Sequence, residues 1–407
     1  MKVIDLFAGA GGLSEGFRQV GFDIVAHVEM DKSACNTLRT RETYYYLKNT
    51  NQNSIYLDYL TKKINRDILY EAVPTEILNR VIQAEINNQT FREITNQIDQ
   101  LLNGEKVDLI LGGPPCQAYS TAGISRDSNR MQNDPRNYLY RYYIKFLRKY
   151  KPKMFIFENV KGILTAKNGS IFRNLRTNLK RTGYSIDYRI LNARDFGVSQ
   201  NRERVILIGW KNNLEINYPE FTKGINPVTI SELFRDLPKL NAGESINGQK
   251  RYIRNFTPSN NYIREKNWNI LTQHITRPHN ENDLLIYHLV AEAWLKEKKQ
   301  LKYNELPEEI QTHSRKDVFL DRYKLVKPES ISHTIVAHIS KDGHYYIHPD
   351  IKQNRSLSVR EAARIQSFPD NFFFEDSRTA AFRQIGNAVP PLMAFIIAKK
   401  IKDILPH

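Results

Sequence analysis

The feature that most narrows the fold of this 407-residue chain is an alternation across its first 210 residues. Short apolar runs with strand character, at 3–6, 24–28, 107–111, 154–157, 185–191 and 205–210, are separated by stretches with helical spacing. Near-continuous apolar strands joined through helices make a mostly parallel sheet flanked by helices on both faces, an α/β fold. Open sheets of this kind bind ligands in the crevice outside the carboxyl ends of their strands. The residues that end each run therefore matter most. The polar segment 69–104 has helical spacing at Ile77, Val81, Ile86, Ile94, Ile98 and Leu102 and reads as inserted helix on the sheet rim. The Tyr44–Tyr46 region before it reads the same way.

After Trp210 the pattern changes. Pro219, Pro227, Pro238, Gly243, Gly248, Pro258 and Pro278 break the chain into short pieces, and only 281–298 is clearly helix-like. Short strands are expected at 332–338 and 345–348. Apolar periodicity returns at 392–405, after a Pro390-Pro391 pair that suits a helix start. The expected organisation is a catalytic and cofactor-binding domain at 1–210 and a smaller, irregular mixed domain at 211–383. A carboxyl-terminal segment, 384–407, returns to the first domain.

Two cysteines and the absence of an apolar leader at the amino terminus point to a reducing, cytoplasmic setting. No apolar stretch approaches the length of a membrane span. The formal net charge is +16, unevenly placed. Residues 117–153 hold nine Lys/Arg against two Asp/Glu, and 161–204 hold ten against three. A third patch, 249–277, has six against one, although 211–350 as a whole is almost neutral with twenty against eighteen. Such a distribution suits a polyanion laid across a cleft near residue 116.

The run at 107–111 leads directly into Gly112-Gly113-Pro114-Pro115-Cys116-Gln117. A thiol on a turn stiffened by two prolines, at the carboxyl end of a buried strand, points into the ligand crevice. Structural cysteines more often sit within apolar runs, and Cys35 reads as a packing residue on a helix face. The run 154–157 ends likewise in Glu158-Asn159-Val160, with a carboxylate at the same edge. Ahead of the last strand, Gln200, Arg202 and Arg204 alternate, so an extended backbone turns all three to one side. Long polar groups there are costly to bury without partners.

At the amino terminus, Asp5-Leu6-Phe7-Ala8-Gly9-Ala10-Gly11-Gly12 is a strand running into a glycine-rich turn and then a helix. Such turns let backbone approach a ligand, and the helix start offers free N–H groups. Glu29, ending the next strand, can accept from ribose hydroxyls. Asp67 could hold an adenine amino group if the intervening chain returns to the sheet edge. No lysine follows the glycines, which argues against a P-loop. A nicotinamide site stays open on these residues, but would leave the thiol unexplained.

The Gly-rich turn, Pro-Pro-Cys, Glu-Asn-Val and Gln-x-Arg-x-Arg, in this order, resemble the DNA (cytosine-5)-methyltransferase family of bacterial restriction–modification systems. So do Arg355-Ser356-Leu357-Ser358-Val359-Arg360-Glu361-Ala362-Ala363-Arg364-Ile365-Gln366-Ser367-Phe368-Pro369 and Gln384-Ile385-Gly386-Asn387-Ala388-Val389-Pro390-Pro391. The resemblance implies an S-adenosylmethionine-dependent methyltransferase fold with a target-recognition domain, acting on a cytosine flipped out of double-stranded DNA. It implies Cys116 as nucleophile, Glu158 on the base edge, Arg204 at cytosine O2 and Arg202 ordering that wall. Phe7, Gly9, Gly11, Glu29, Asp67, Ile68, Pro115, Leu139 and Asn387 would hold S-adenosyl-L-methionine, leaving S-adenosyl-L-homocysteine as product.

The loop 118–135, with Arg126, Arg130 and Gln132, would close over DNA after flipping. Gln117, Gln200, Lys250, Arg251, Arg254, Arg264, Lys266 and Arg277 are the remaining candidate DNA contacts. Arg and Lys read guanine or hold phosphate equally well. His338, His344 and His348 lack an accompanying cysteine pair, so no metal is expected. The expected partner is duplex DNA, and the expected state a monomer without a membrane. A cognate restriction endonuclease would share the recognition sequence without a stable complex. An RNA cytosine-5 methyltransferase and a non-catalytic DNA-binding protein are the alternatives. About 170 residues before the closing blocks favour DNA over transfer RNA, and an intact Cys, Glu and Arg set argues against a dead enzyme.

Overall fold

A computed structural model describes residues 1–114, 139–221, 226–253 and 262–406. Within them the alternation becomes one seven-stranded sheet in the order β3-β2-β1-β4-β5-β7-β6. The strands are β1 (Lys2–Leu6), β2 (Asp23–Glu29), β3 (Val81–Gln83), β4 (Leu109–Gly112), β5 (Met154–Asn159), β6 (Tyr184–Asn192) and β7 (Glu203–Lys211). Pairings from β3 across to β5 are parallel, and β7 runs antiparallel between β5 and β6. The chain winds outward from β1 through β2 to β3, then resumes on the other side at β4. The crevice between β1 and β4 is therefore the topological switch point.

The helices of this half are α1 (Gly12–Gln19), α2 (Lys32–Asn49), α3 (Asn53–Leu60), α4 (Arg66–Glu71), α5 (Thr75–Asn79), α6 (Phe91–Leu102), α7 (Tyr140–Tyr150) and α8 (Ser170–Lys180). The period of two decides which face each strand residue serves. Phe155, Phe157, Val205 and Leu207 pack beneath α6, α7 and α8. Met154, Ile156, Ile206 and Ile208 face α1 and the last helix. Glu158 and Arg204 continue this second series, which puts both on the α1 side where their strands end.

The second half carries α9 (Ile230–Phe234), α10 (Glu281–Glu297), α11 (Val359–Ile365), α12 (Arg378–Asn387) and α13 (Pro391–Ile404), with a short antiparallel pair, β8 (Gly248–Gln249) and β9 (Ile270–Leu271). Helix α13 lies on α1 at a separation that only glycine permits. A Cβ on Gly16 would stand 2.3 Å from Phe395 N, and one on Gly12 would stand 2.2 Å from Val389 O.

Buried arginines of the 355–369 block hold the surrounding loops. Arg355 makes two 2.8 Å hydrogen bonds to Glu361. Arg364 bridges Asp236 and Asp370, and Arg360 donates to the Thr272 and Phe372 carbonyls. Each guanidinium has anionic or carbonyl partners, which is what makes its burial tolerable.

Two expectations need correction. Residues 332–338 and 345–348 form single bridges and 3-10 turns at Ala337–Ser340 and His344–Tyr346, not strands. The supposed rim helix 69–104 contains β3. Val81 and Ile82 are too short a run to show period two, and they happen to fall on the helical spacing of their neighbours.

Candidate active site

At the switch point the chain leaves β1 through Phe7, a non-glycine residue at φ 56°. Left-handed backbone in a bulky aromatic is strained, and such strain clusters at ligand sites. Gly9 and Gly11 follow at φ 55° and 78°. Among the described residues nothing lies within 4 Å of the place a Gly9 Cβ would occupy, so the turn leaves free space beside its backbone. The Glu29 carboxylate, at the end of β2, accepts from Gly9 N, Met30 N and Asp31 N, each at 2.8 Å. Burial pushes the Glu29 pKa up and the Asp31 charge adds to this, while the three N–H groups oppose it. Three donors fix the carboxylate and still leave an acceptor position for a ligand hydroxyl.

Beyond β4, at the facing ends of β5 and β7, Arg204 Nε lies 2.8 Å from Glu158 Oε1, and the two side chains are only 12% and 15% exposed. The segment leading to the cysteine passes directly against this pair. A Cβ on Gly113 would stand 2.6 Å from both Glu158 O and Glu158 Oε2. Asn159 Nδ2 donates to Pro114 O at 3.3 Å, tying the end of β5 to that of β4. A carboxylate, a guanidinium and the Gly113-Pro114 backbone thus converge beside the glycine-rich turn.

Other expected residues are distributed less simply. Leu139 caps the amino end of α7, which begins on the same sheet edge. Asn387 ends α12, and its neighbour Ala388 lies against Gly12. Lys250, Arg251 and Lys266 are exposed. Pro115, Cys116, Gln117, Arg126, Arg130, Gln132 and Arg254 lie outside the described residues, as does the whole of the 118–135 loop. Cys35 is buried, donates to Glu29 O at 3.3 Å, and has its thiol pushed up to about 12 by burial and the Glu29 charge, as befits a packing residue.

Several of the expected site residues are engaged within the protein. Arg202 is wholly buried and donates to the carbonyls of Ile335, Gly386 and Ala388. Burial and the adjacent Arg204 charge pull its pKa well down. It clamps three backbone carbonyls on two chain segments, which orders the wall from behind without exposing the guanidinium. Gln200 is equally buried, donating to Gln366 and accepting from Ile335 N at 2.7 Å, so it cannot reach DNA. Arg264 is ion-paired with Asp236 at 3.0 Å and stacked on Tyr252. Arg277 is buried and donates to Ile339 O. Neither is placed to read a groove.

Asp67 and Ile68 are exposed on α4, which packs on α2 and α3 and not on the sheet. The chain returns to the edge at β3, which pairs with β2 and continues through Ala84, whose N–H donates to Glu29 O at 2.9 Å. The residues beside Glu29 are therefore Glu85 and the buried Ile86. The sequence signal for them was the pair Val81-Ile82 followed by an acid, hidden inside a helical spacing.

A parallel sheet with β7 inserted antiparallel, and a ligand crevice at the β1/β4 switch, define the fold of S-adenosylmethionine-dependent methyltransferases. Solved structures share it. A prophage-encoded chain from E. coli described as a DNA modification methyltransferase superposes with a TM-score of 0.64 at 24% identity, covering 100% of this chain and 99% of the other. The methyltransferase EhMeth of Entamoeba histolytica gives a TM-score of 0.53 at 15% identity, covering 100% and 99%.

Sequence comparison narrows the class. Residues 1–76 and 77–403 match the family of C-5 cytosine-specific DNA methylases. The Type II methyltransferase M.Bpa9945I of Bacillus paralicheniformis is 42% identical over 443 residues, covering 100% of this chain and 99% of the relative. M.FnuDI of Fusobacterium nucleatum, also a Type II methyltransferase, is 31% identical over 425 residues, covering 100% and 95%. The chain belongs to the C-5 cytosine-specific DNA methylases and is a DNA (cytosine-5)-methyltransferase of the bacterial restriction–modification type. Among the described residues no helix is long and apolar enough to cross a membrane.

Proposed function

We propose that the enzyme moves a methyl group from S-adenosylmethionine to C5 of a cytosine flipped out of a short specific duplex sequence, through a covalent bond between Cys116 and cytosine C6. The modification would shield host DNA from a restriction enzyme that cuts the same sequence. The observation that carries this reading is the convergence of Glu158, Arg204 and the Gly113-Pro114 backbone at the sheet edge, next to the glycine-rich turn.

Each group has a role that its chemistry explains. Cytosine C5 is too weak a nucleophile to react unaided. Addition of the Cys116 thiolate at C6 drives the ring electrons toward N3 and C5. Glu158 shares a proton at N3 and holds the exocyclic amine, relieving the charge that develops there. Arg204 reaches O2. S-adenosylmethionine supplies, when bound, the electrophilic methyl that C5 takes. Loss of the C5 proton, to an ordered water or a side chain, then expels the thiolate and restores the ring. A base buried in a duplex cannot reach these groups, hence the flipping step.

The cofactor fits the residues present. Glu29 is oriented to accept a ribose hydroxyl, and the space at Gly9 admits a ligand beside the turn. Phe7 offers a ring to the adenosine. Glu85 and Ile86, in place of Asp67 and Ile68, are assigned to the adenine. Arg202 keeps an ordering role, exerted through backbone carbonyls, and Gln200 is reassigned from DNA contact to positioning. The irregular region 211–383 supplies target recognition, with Lys250, Arg251 and Lys266 as its exposed cations.

Tritiated-methyl transfer to duplex DNA, transfer RNA and a substrate-free control tests the reading, with modification mapping of the product. Label in 5-methylcytosine at one position of a duplex word is expected. Label in transfer RNA instead would favour the RNA reading, and no label at all would overturn both.

A further inference from the structure

The charge of 161–204 and of the residues before 153 does not all gather round the crevice. Part of it sits at the opposite end of the sheet, in a cavity of about 460 Å³ lined by Arg148, Lys151, Arg181, Lys211, Asn212 and Asn213 among others. The cavity lies where α7 and α8 end, where β6 begins and where β7 finishes. Among the described residues no acidic side chain lines it. Lys211 and Glu158 are separated along β7 by five residue steps of the register, or about 17 Å. A duplex engaged at the catalytic edge therefore meets a different surface.

Neighbouring cations show what ordinary surface pairing looks like here. Lys149 meets Asp99 at 2.7 Å and Lys153 meets Asp108 at 3.0 Å. Among the described residues, Arg148, Lys151, Arg181 and Lys211 make no ion pair, although all four share one concavity. The carboxyl-terminal dipoles of α7 and α8 offset about one positive charge between them, at roughly half a charge per helix. A clear excess remains. Ser185 Oγ donates to Asn212 Oδ1 at 3.1 Å, which leaves the Asn212 amide N–H groups as further donors. Unpaired cations and amide donors around a concave, solvent-open site suit the oxygens of a phosphodiester backbone.

We infer that this cavity is a second DNA-binding site, which takes the phosphates of a duplex segment other than the one being methylated. Its role would be to keep the enzyme near DNA between catalytic encounters, in a sequence-independent and salt-sensitive way. The inference goes beyond methyl transfer and does not depend on the route through Cys116.

The test uses the full chain and a target-containing duplex of about 12 base pairs. That duplex is roughly 40 Å long, far below the ~500 Å persistence length of DNA, so it stays straight and does not bend round from one edge of the sheet to the opposite edge. One duplex therefore cannot serve both edges. Native mass spectrometry and calorimetry at low salt should find two duplexes on the wild type, the second in the range of about 1–100 µM that is usual for non-specific binding. Arg148→Gln/Lys151→Gln/Arg181→Gln/Lys211→Gln should bind one, with its single-turnover methylation rate unchanged. In the wild type, Lys151 and Lys211 should gain protection from acetylation only beyond one equivalent of duplex.

A single duplex on the wild type, or a second duplex that persists on the quadruple variant, would overturn the inference. A parallel titration with pyrophosphate separates the sources of phosphate. Protection of Lys151 and Lys211 by pyrophosphate but not by the second duplex would make this a small-anion site and overturn its assignment to DNA.

Discussion

Arg204 Nε and Glu158 Oε1 stand 2.8 Å apart on adjacent antiparallel strands, with Arg204 in the diagonal position two residues along β7 from Ile206, the register partner of Glu158. Both side chains are mostly shielded from solvent, so each fixes the other before any substrate arrives. The pair also lies on the α1 face of the sheet, against the backbone of Gly113. Preorganised charge of this kind costs no rearrangement when charge develops on a bound base.

Glu158→Gln should keep the fold and the cofactor affinity while losing most methyl transfer. The amide has nearly the same shape but cannot share a proton at cytosine N3 or hold the Arg204 charge. A general acid–base role is worth roughly 10²–10⁴-fold. Single-turnover methylation at saturating cofactor and DNA, beside calorimetric cofactor titration, makes the comparison. A rate within about threefold of wild type would remove Glu158 from the chemical step.

The two arginines of the Gln-x-Arg-x-Arg motif should respond in opposite ways to lysine. Arg202→Lys removes the fork that holds the carbonyls of Ile335, Gly386 and Ala388, so the melting temperature should fall. Carbonyls left without donors cost about 1–3 kcal/mol each. Arg204→Lys should leave the melting temperature in place and lower kcat. Lysine cannot reproduce a planar guanidinium at a paired carboxylate. Thermal melts and steady-state kinetics on both variants decide this. A stability loss at residue 204 with none at 202 would reverse the assignment.

What could be read in advance follows from where information sits in the chain. Strand-end residues such as Glu29, Glu158 and Arg204 were legible because a long apolar run fixes both position and facing. Arg202 and Gln200 share the same alternation, yet their partners, Ile335, Gln366, Gly386 and Ala388, are more than 130 residues away in sequence. No local pattern could show that a distant carbonyl waits there. Arg264 and Arg277 mislead for the same reason, since a basic residue looks alike whether it meets phosphate or Asp236. Strand β3 escaped because three residues are too few to display a period. The charge excess was read correctly in amount, but part of it faces away from the crevice.

The adenine end of the cofactor site separates two residues by position alone. Asp67→Asn, on an exposed helix away from the sheet, should leave S-adenosylhomocysteine affinity unchanged. Glu85→Gln, beside Glu29 at the end of β3, should weaken it by about tenfold, in keeping with a lost hydrogen bond to a charged acceptor of roughly 1.5 kcal/mol. Calorimetry on both variants reads the difference. An effect at residue 67 alone would restore the original assignment.

A buried imidazole should make stability depend on pH. His27 lies between Asp5 and Glu42, with contacts of 3.3 and 3.1 Å. Burial alone would lower its pKa, but the hydrogen bonds and charges of the two carboxylates raise it above the usual 6.5. A raised pKa means that the folded state holds the proton more tightly than the unfolded chain. The resulting stability is complete below pH 6.5 and is lost as pH rises through the higher folded value. The apparent melting temperature of the wild type should therefore decline relative to His27→Gln between pH 6.5 and 9. Parallel curves for the two proteins would show that His27 does not titrate in the folded state.

A duplex carrying 5-fluorocytosine at the target position should trap the enzyme covalently, and only when S-adenosylmethionine is present. Once Cys116 has added to C6 and the methyl group has reached C5, fluorine occupies the place from which a proton must leave. Elimination then stalls with the sulfur–carbon bond intact. Denaturing electrophoresis would show a shifted band, and peptide mapping should place the nucleotide on the peptide containing Cys116. Cys116→Ser should give no adduct and no turnover while still binding duplex, because basic phosphate contacts do not need the thiol. The buried thiol of Cys35, pushed up to about 12, is a poor nucleophile and serves as an internal control. An adduct on the Cys35 peptide, or none at all with a verified target and active enzyme, would rule out the cysteine route and leave direct transfer as the mechanism.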